Sequence, residues 1–168
     1  MLAVLTDQEK AAVLDELVTW DRRVRAAAED AGRRRLARVD PRVVADTVTE
    51  ALIGLDHEEL ATHAGLTRHG YVEPTEAAWL LLEREVEPWI DDIGRRAGLG
   101  LDDAARQLAL GVLDGLHRLL EYTARDGLLL SWAPDFPSAA ADRVLQALGD
   151  AGLELTADEL GRAAPNWA

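Results

Sequence analysis

Three side chains that commonly bind metal ions recur at helical spacing: Asp114, His117 and Glu121. Spacings of three and four residues place them on one face of a helix, as in metal sites inside helical bundles. At roughly 100° per residue, however, they are centred about 150° from the apolar stripe of the same helix. Ligands of a bundle metal site point inward, and these point to solvent. We therefore expect a solvated face and no bound metal.

Acidic side chains form a second cluster, along the flank of segment 75–97. They are Glu76, Glu83, Glu87 and Asp91. Carboxylates in a row bind cations or serve acid–base chemistry, but no histidine in this segment completes a metal-binding pattern. Beside an apolar stripe, a charged row is also typical of the rim of a protein interface. Two interpretations stay open: an ordinary charged helix face, or an acidic face that steers a partner.

Groups for covalent catalysis are scarce. The two serines, Ser131 and Ser138, lie outside any Gly-x-Ser-x-Gly elbow, and the chain has no cysteine. The two common glycine-rich phosphate loops are also missing from the sequence. The sequence therefore favours a protein that is not an enzyme, with no catalytic residues and no cofactor.

Two segments without sustained periodicity, 66–73 and 131–137, hold the remaining candidate binding residues. These are Arg68, His69, Tyr71, Trp132, Asp135 and Phe136. Aromatic anchors in stiff, proline-bounded loops are favoured at interfaces and in ligand pockets. Two alternatives stay open for the second loop: its rings contact a partner or ligand, or they fold back over the protein as a plug.

The segment from Glu59 to Thr67 resembles the first half of a helix-turn-helix, with a short helix, a glycine turn, and then leucine and threonine. The recognition helix would span 68–77, but Gly70 and Pro74 interrupt it. The resemblance implies DNA binding through residues 57–77. Glutamates in the same stretch oppose that function.

The charge distribution favours a basic partner. The formal net charge is −13; residues 1–50 hold 10 acidic and 9 basic residues, and residues 51–168 hold 21 and 9. The resulting −12 repels nucleic acid and anionic lipid and speeds the approach of a basic protein. Solubility alone is the other interpretation of such a charge. We expect neither nucleic acid nor a membrane as a partner.

Capping signals and apolar periodicity predict a single all-α domain over 1–168, an irregular bundle of about six to eight helices without significant sheet. Thr6 with Glu9 and Thr156 with Glu159 have the form of capping boxes, and Asp102 is expected to cap another helix. The predicted helices span about 6–32, 41–54, 57–64, 75–97, 103–125, 138–149 and a short stretch from 157. Pro88 either kinks the fourth helix or ends it.

Apolar stripes along these helices predict the core, including Trp20, Trp79 and Trp89. Gly111 and Gly115, four residues apart, leave room for the close approach of a neighbouring helix. The first helix carries a seam that packs against the chain's own helices or, as an alternative, against a second copy in a homodimer. The seam consists of Val13, Leu17, Trp20 and Val24.

Two functions from different classes are compatible with these patterns. The first is a non-enzymatic interaction module, an acidic adaptor, regulator or inhibitor of a basic protein. The second is a helical bundle that binds or transforms a small ligand through the loops 66–73 and 131–137. Charge and the missing nucleophiles favour the first. The absence of cysteine and of a secretory signal favours the cytoplasm, and arginine replacing nearly all lysine is typical of GC-rich bacteria.

Overall fold

The computed structural model describes residues 4–55, 57–67, 70–120, 122 and 129–165. Within these residues the chain is all-α, as predicted, with one small two-stranded ribbon. The elements in chain order are α1 (Asp7–Trp20), α2 (Arg22–Leu36), α3 (Pro41–Ile53), α4 (His57–His63), β1 (Gly65–Thr67), β2 (Gly70–Val72), α5 (Pro74–Gly98), α6 (Asp102–Leu119), a 3-10 turn (Leu129–Ser131), α7 (Phe136–Asp150) and α8 (Ala157–Ala163). None of the helices in these ranges combines the length and apolar character that a membrane crossing requires.

The chain forms two compact units, Met1–Arg38 and Val39–Ala168. The first contains α1 and α2, and the second contains all the other elements. The expectation of a single domain over 1–168 stays a prediction.

The N-terminal unit begins with the predicted capping box. The Thr6 hydroxyl accepts the Glu9 amide at 3.3 Å, and the Thr6 amide donates to the Glu9 carboxylate at 2.7 Å. The single helix predicted to run to about residue 32 is wrong, because the backbone becomes extended at Asp21. The Asp21 side chain accepts the Arg23 amide at 2.7 Å and caps α2. A carboxylate that offers this alternative bond competes with continuation of the helix.

No side chain of α1 or α2 is buried. Trp20, predicted to lie in the core, is 82% exposed, and Leu17 of the same seam is half exposed. The core placement of Trp20 is therefore wrong, whereas Trp79 and Trp89 do pack against the core of the C-terminal unit. A homodimer through the seam stays a prediction.

The C-terminal unit is built around α6, which packs against α3, α5, α7 and α8. Ten of its residues are buried, including Leu108, Val112 and Leu116. The predicted close approach at Gly111 and Gly115 is confirmed: a Cβ atom at Gly115 would lie 2.9 Å from the Ala45 carbonyl oxygen of α3. The tight α3–α6 contact depends on these two glycines.

Two predicted helix starts differ from the structure. The N-cap of α6 is Leu101, not Asp102, so the carboxylate lies in the first turn and acts on the helix dipole instead. Of the two alternatives left open at Pro88, the helix does not end there: α5 continues through it to Gly98. Helix α7 begins at Phe136, two residues earlier than predicted, with a proline in its first turn.

The segment predicted as the loop 66–73 contains an antiparallel ribbon instead. Gly65 pairs with Val72, Leu66 with Tyr71, and Thr67 with Gly70. Because β2 occupies 70–72 and α5 begins at Pro74, the recognition helix expected over 68–77 does not form. The helix-turn-helix interpretation of this segment is therefore wrong.

Candidate functional site

The outer face of the ribbon presents two large apolar side chains to solvent. Leu66 and Tyr71 are cross-strand partners, so their side chains share one face. Leu66 is 90% exposed and Tyr71 is 63% exposed. The neighbouring Val72 points to the other face, where it packs against the core. We call Leu66 and Tyr71 the ribbon face.

The ribbon is held between two helices that are joined to each other. Arg84 of α5 donates to Glu59 of α4 at 2.6 Å, and this hydrogen bond, together with one to Glu85, raises the pKa of Arg84. Gly65 and Gly70 have positive φ angles of 94° and 130°, which favour glycine. The two helices thus anchor the ribbon at both ends, and its strand register places Leu66 and Tyr71 on the solvent side.

Three glutamates lie close to the ribbon in the sequence. Glu58 lies on α4, Glu73 directly follows β2, and Glu76 lies in the first turn of α5. All three are exposed, and within the described ranges none of them forms an ion pair. The apolar ribbon face is thus flanked in the sequence by acidic residues.

The acidic row predicted on α5 is divided by the fold. Arg143 of α7 binds Glu83 at 2.6 Å and also binds Glu87. These two carboxylates join α5 to α7, and the single guanidinium compensates half of their charge. Glu76 and Asp91 are exposed and form no ion pair within the described residues, so they present their full charge to solvent.

The two aromatic rings of the loop 131–137 lie in different environments. Trp132 is 43% exposed, whereas Phe136 is 2% exposed and stacks edge-on against Trp79, with ring centroids 5.3 Å apart. Phe136 is therefore a core residue and not a surface anchor. Asp135 is exposed and precedes α7 without a side-chain capping bond. Of the other predicted binding residues, Arg68 and His69 lie outside the described residues.

The proposed metal-like trio is partly engaged in an ion pair. Asp114 accepts from Arg118 at 3.0 and 2.6 Å, and Arg118 also donates to Asp46 of α3 at 2.6 Å. The bonds to Asp114, followed by that to Asp46, raise the pKa of Arg118. Glu121 lies outside the described residues. In the described part of the chain, no group of three acidic or histidine side chains is placed to hold a metal ion.

A cleft that sequence reasoning missed lies between the start of α3, the middle of α6, and α8. Its volume is about 450 Å³, and it is lined by Asp40, Pro41, Arg42, Gln107, Leu110, Asp114, Glu159, Arg162 and Ala163. The spacing of residues 107, 110 and 114 does indicate that they lie on the same face of α6. Nothing in the sequence connects that face with the other two segments.

The fold and these surfaces define an all-α protein with an exposed apolar ribbon and a small polar cleft. No family model, no curated protein and no solved structure matches the chain.

Proposed function

We propose that this protein is a non-enzymatic interaction module, an acidic cytoplasmic adaptor, regulator or inhibitor that binds a basic protein through its ribbon face. The observation that carries the proposal is the cross-strand pair Leu66 and Tyr71, both more than half exposed. Isolated apolar side chains are common on protein surfaces. Two adjacent ones on a ribbon anchored from its other face form a contiguous patch, which is typical of interaction sites.

Burial supplies the affinity in this proposal. Full burial of a leucine side chain contributes about 1.5–3 kcal/mol, and tyrosine is enriched at the centre of interfaces. Tyr71 also keeps a hydroxyl that can bond at the rim of the contact. Neither side chain belongs to the core, so both are available without disturbing the fold.

Charge supplies the preference for a basic partner. The C-terminal unit contains 24 acidic and 10 basic residues, a net −14. At about 0.1 M salt, screening removes most of the field beyond about 10 Å, so glutamates close in the chain to the ribbon contribute most. Glu58, Glu73 and Glu76 meet that condition. The same charge opposes nucleic acid, whose phosphates it repels.

Comparative capture tests the proposal. Wild-type protein, the double variant Leu66→Ser/Tyr71→Ser and the control Leu80→Ser would each be immobilised and exposed to the same cell extract. Leu80 is 56% exposed but lies on α5, outside the ribbon face. We expect a basic protein to be retained by wild type and by the control, released by moderate salt, and lost from the double variant.

The same experiment contradicts the proposal in two ways. Equal retention by all three forms would move the contact surface away from the ribbon. Retention of no protein by wild type at low salt would remove the function altogether. Circular dichroism of each form checks that the fold is retained, which is expected because neither substitution touches a buried residue.

A further inference from the structure

The cleft between α3, α6 and α8 is distinct from the ribbon face, and it brings two guanidinium groups to one volume. We propose that this cleft binds a small anionic molecule and recognises a carboxylate or phosphate group. Arg42 comes from the first turn of α3 and Arg162 from α8, and Gln107 of α6 also lines the cleft. The proposal is independent of the interaction function.

The carboxylates of the cleft are already used by the fold. Asp40 accepts the Arg42 amide at 3.0 Å as the cap of α3. Both oxygens of Asp114 bind Arg118. Glu159 accepts from the amide and the hydroxyl of Thr156, both at 2.8 Å. These bonds remove much of the capacity of the three carboxylates to bind a cationic ligand.

The donors of the cleft, in contrast, are largely uncommitted. Among the described residues, the Arg42 guanidinium and the Gln107 amide form no hydrogen bond or ion pair. Arg162 uses Nε to bond the Asp158 carbonyl at 3.0 Å, which leaves its two terminal nitrogens. A ligand that fills this space therefore meets hydrogen-bond donors, and two of the three groups carry positive charge.

These two arginines are exceptions in a strongly acidic unit. The other arginines of the C-terminal unit that lie in the described ranges all form ion pairs with carboxylates: Arg84, Arg95, Arg96, Arg106, Arg118 and Arg143. With 24 carboxylates in the unit, pairing is the expected state of an arginine. Among the described arginines of this unit, the two that form no ion pair, Arg42 and Arg162, line the same cleft.

The charge of Arg162 also acts on Glu159 of the lining. Its pKa is lowered first by the bonds from Thr156, and additionally by the charges of Arg106 and Arg162. The lining of the cleft thus contains two arginines without an ion pair among the described residues and three carboxylates that are already hydrogen-bonded.

Size and shape fit a small metabolite. About 450 Å³ lies within the usual range for small-molecule sites, and Pro41, Leu110 and Ala163 give it an apolar portion. The planar fork of a guanidinium matches the oxygens of carboxylates and phosphates. The ligand class is therefore a compact molecule with one or two anionic groups.

Calorimetric titration tests the inference with inorganic phosphate and citrate as separate probes, each against sodium chloride at equal ionic strength. We expect saturable binding of at least one probe to wild type, and the preferred probe identifies phosphate or carboxylate as the recognised group. Arg42→Gln and Arg162→Gln should each weaken binding by about tenfold or more, because each removes a charge-assisted hydrogen bond. The control Arg95→Gln, on α5 outside the cleft, should bind as wild type does.

A second variant separates the cleft from general electrostatics. Leu110→Trp keeps both arginines but fills the volume, so it should abolish binding. It also gives an independent answer if Arg162→Gln loosens α8. Absence of saturable binding to wild type, equal affinity in all variants, or unchanged affinity in Leu110→Trp would each overturn the inference. A general effect of the added salt on the protein, in contrast to binding in the cleft, would appear equally in every variant.

Discussion

Gly111 of α6 lies against Val44 of α3 so closely that a Cβ atom at Gly111 would come within 2.6 Å of the Val44 Cβ. The same atom would be 2.7 Å from the Pro41 carbonyl oxygen, which belongs to the backbone and cannot rotate away. The spacing between α3 and α6 is therefore set by the absence of a side chain.

Gly111→Ala should therefore destabilise the protein, by about 1–3 kcal/mol from overpacking, despite the higher helix propensity of alanine. Gly94→Ala on α5 is the matched control, because nothing lies within 4 Å of its Cβ position. The control should stabilise by about 0.5–1 kcal/mol. Urea denaturation measures both; a Gly111→Ala protein as stable as wild type would show that the helices can separate without loss.

The helix inventory was largely predictable because its signals are local. Both capping boxes form as the sequence indicates, and so does the Asp40 cap with proline at the first helical position. Each depends on residues within one helical turn of each other. The glycine pair of α6 was readable for the same reason, since its spacing of four puts both positions on one face.

The differences arise where competing interactions decide. The apolar seam passes through residue 21 without interruption, so periodicity alone did not reveal that the Asp21 carboxylate caps a new helix. A strand of three residues is too short to show the alternation of apolar and polar residues that predicts a strand, so the ribbon was not predicted. The cleft and the Arg143 bridge join segments tens of residues apart, and no pattern within one segment contains such pairings.

Because Phe136 is buried and Trp132 is partly exposed, their substitutions should lower stability by very different amounts. Phe136→Ala should cost about 3–5 kcal/mol, because the ring is buried and packs on Trp79. Trp132→Ala, at a 43% exposed ring, should cost about 1 kcal/mol or less. Thermal unfolding of the two variants side by side decides; a larger loss for Trp132→Ala would reverse the assignment of core and surface.

The Arg143 bridge predicts a modest stabilisation shared by two carboxylates. Arg143→Gln should lower the unfolding free energy by about 0.5–1 kcal/mol, because all three side chains are partly exposed to solvent. In a double-mutant cycle, Glu87→Gln should have less effect in the Arg143→Gln background than in wild type. Purely additive effects would mean that the Arg143–Glu87 pair has no coupling energy.

Electrostatic steering is better tested at Glu76 and Asp91, since reversing the charge of Glu83 or Glu87 breaks the bridge to Arg143.

The capping box of α8 should stabilise the protein at neutral pH and lose that effect in acid. Hydrogen bonds from the backbone and hydroxyl of Thr156 lower the pKa of Glu159 below its ordinary value of 4.5. Because the folded pKa is depressed, this stabilisation is present above about 4.5 and is lost as the pH falls through the folded pKa. Thr156→Ala should therefore be less stable than wild type at neutral pH, and the difference should narrow in acid.

Melting temperatures across this pH range measure the effect. Thr47→Ala provides the control, because the Thr47 hydroxyl bonds the Val43 carbonyl and no carboxylate. Its difference from wild type should not depend on acid pH. A Thr156→Ala difference that stays constant down to strongly acidic pH would contradict the role of the ionised Glu159.

Photocrosslinking in intact cells tests the central claim, contact through the ribbon face, most directly. A benzophenone amino acid would replace Tyr71 in one form and Leu80 in the other, so that two exposed positions of the C-terminal unit are compared. We expect irradiation to give one dominant adduct with a basic protein from position 71, lost when Leu66 is changed to Ser, and no such adduct from position 80. No adduct from position 71, or the same adduct from both positions, would contradict binding through Leu66 and Tyr71.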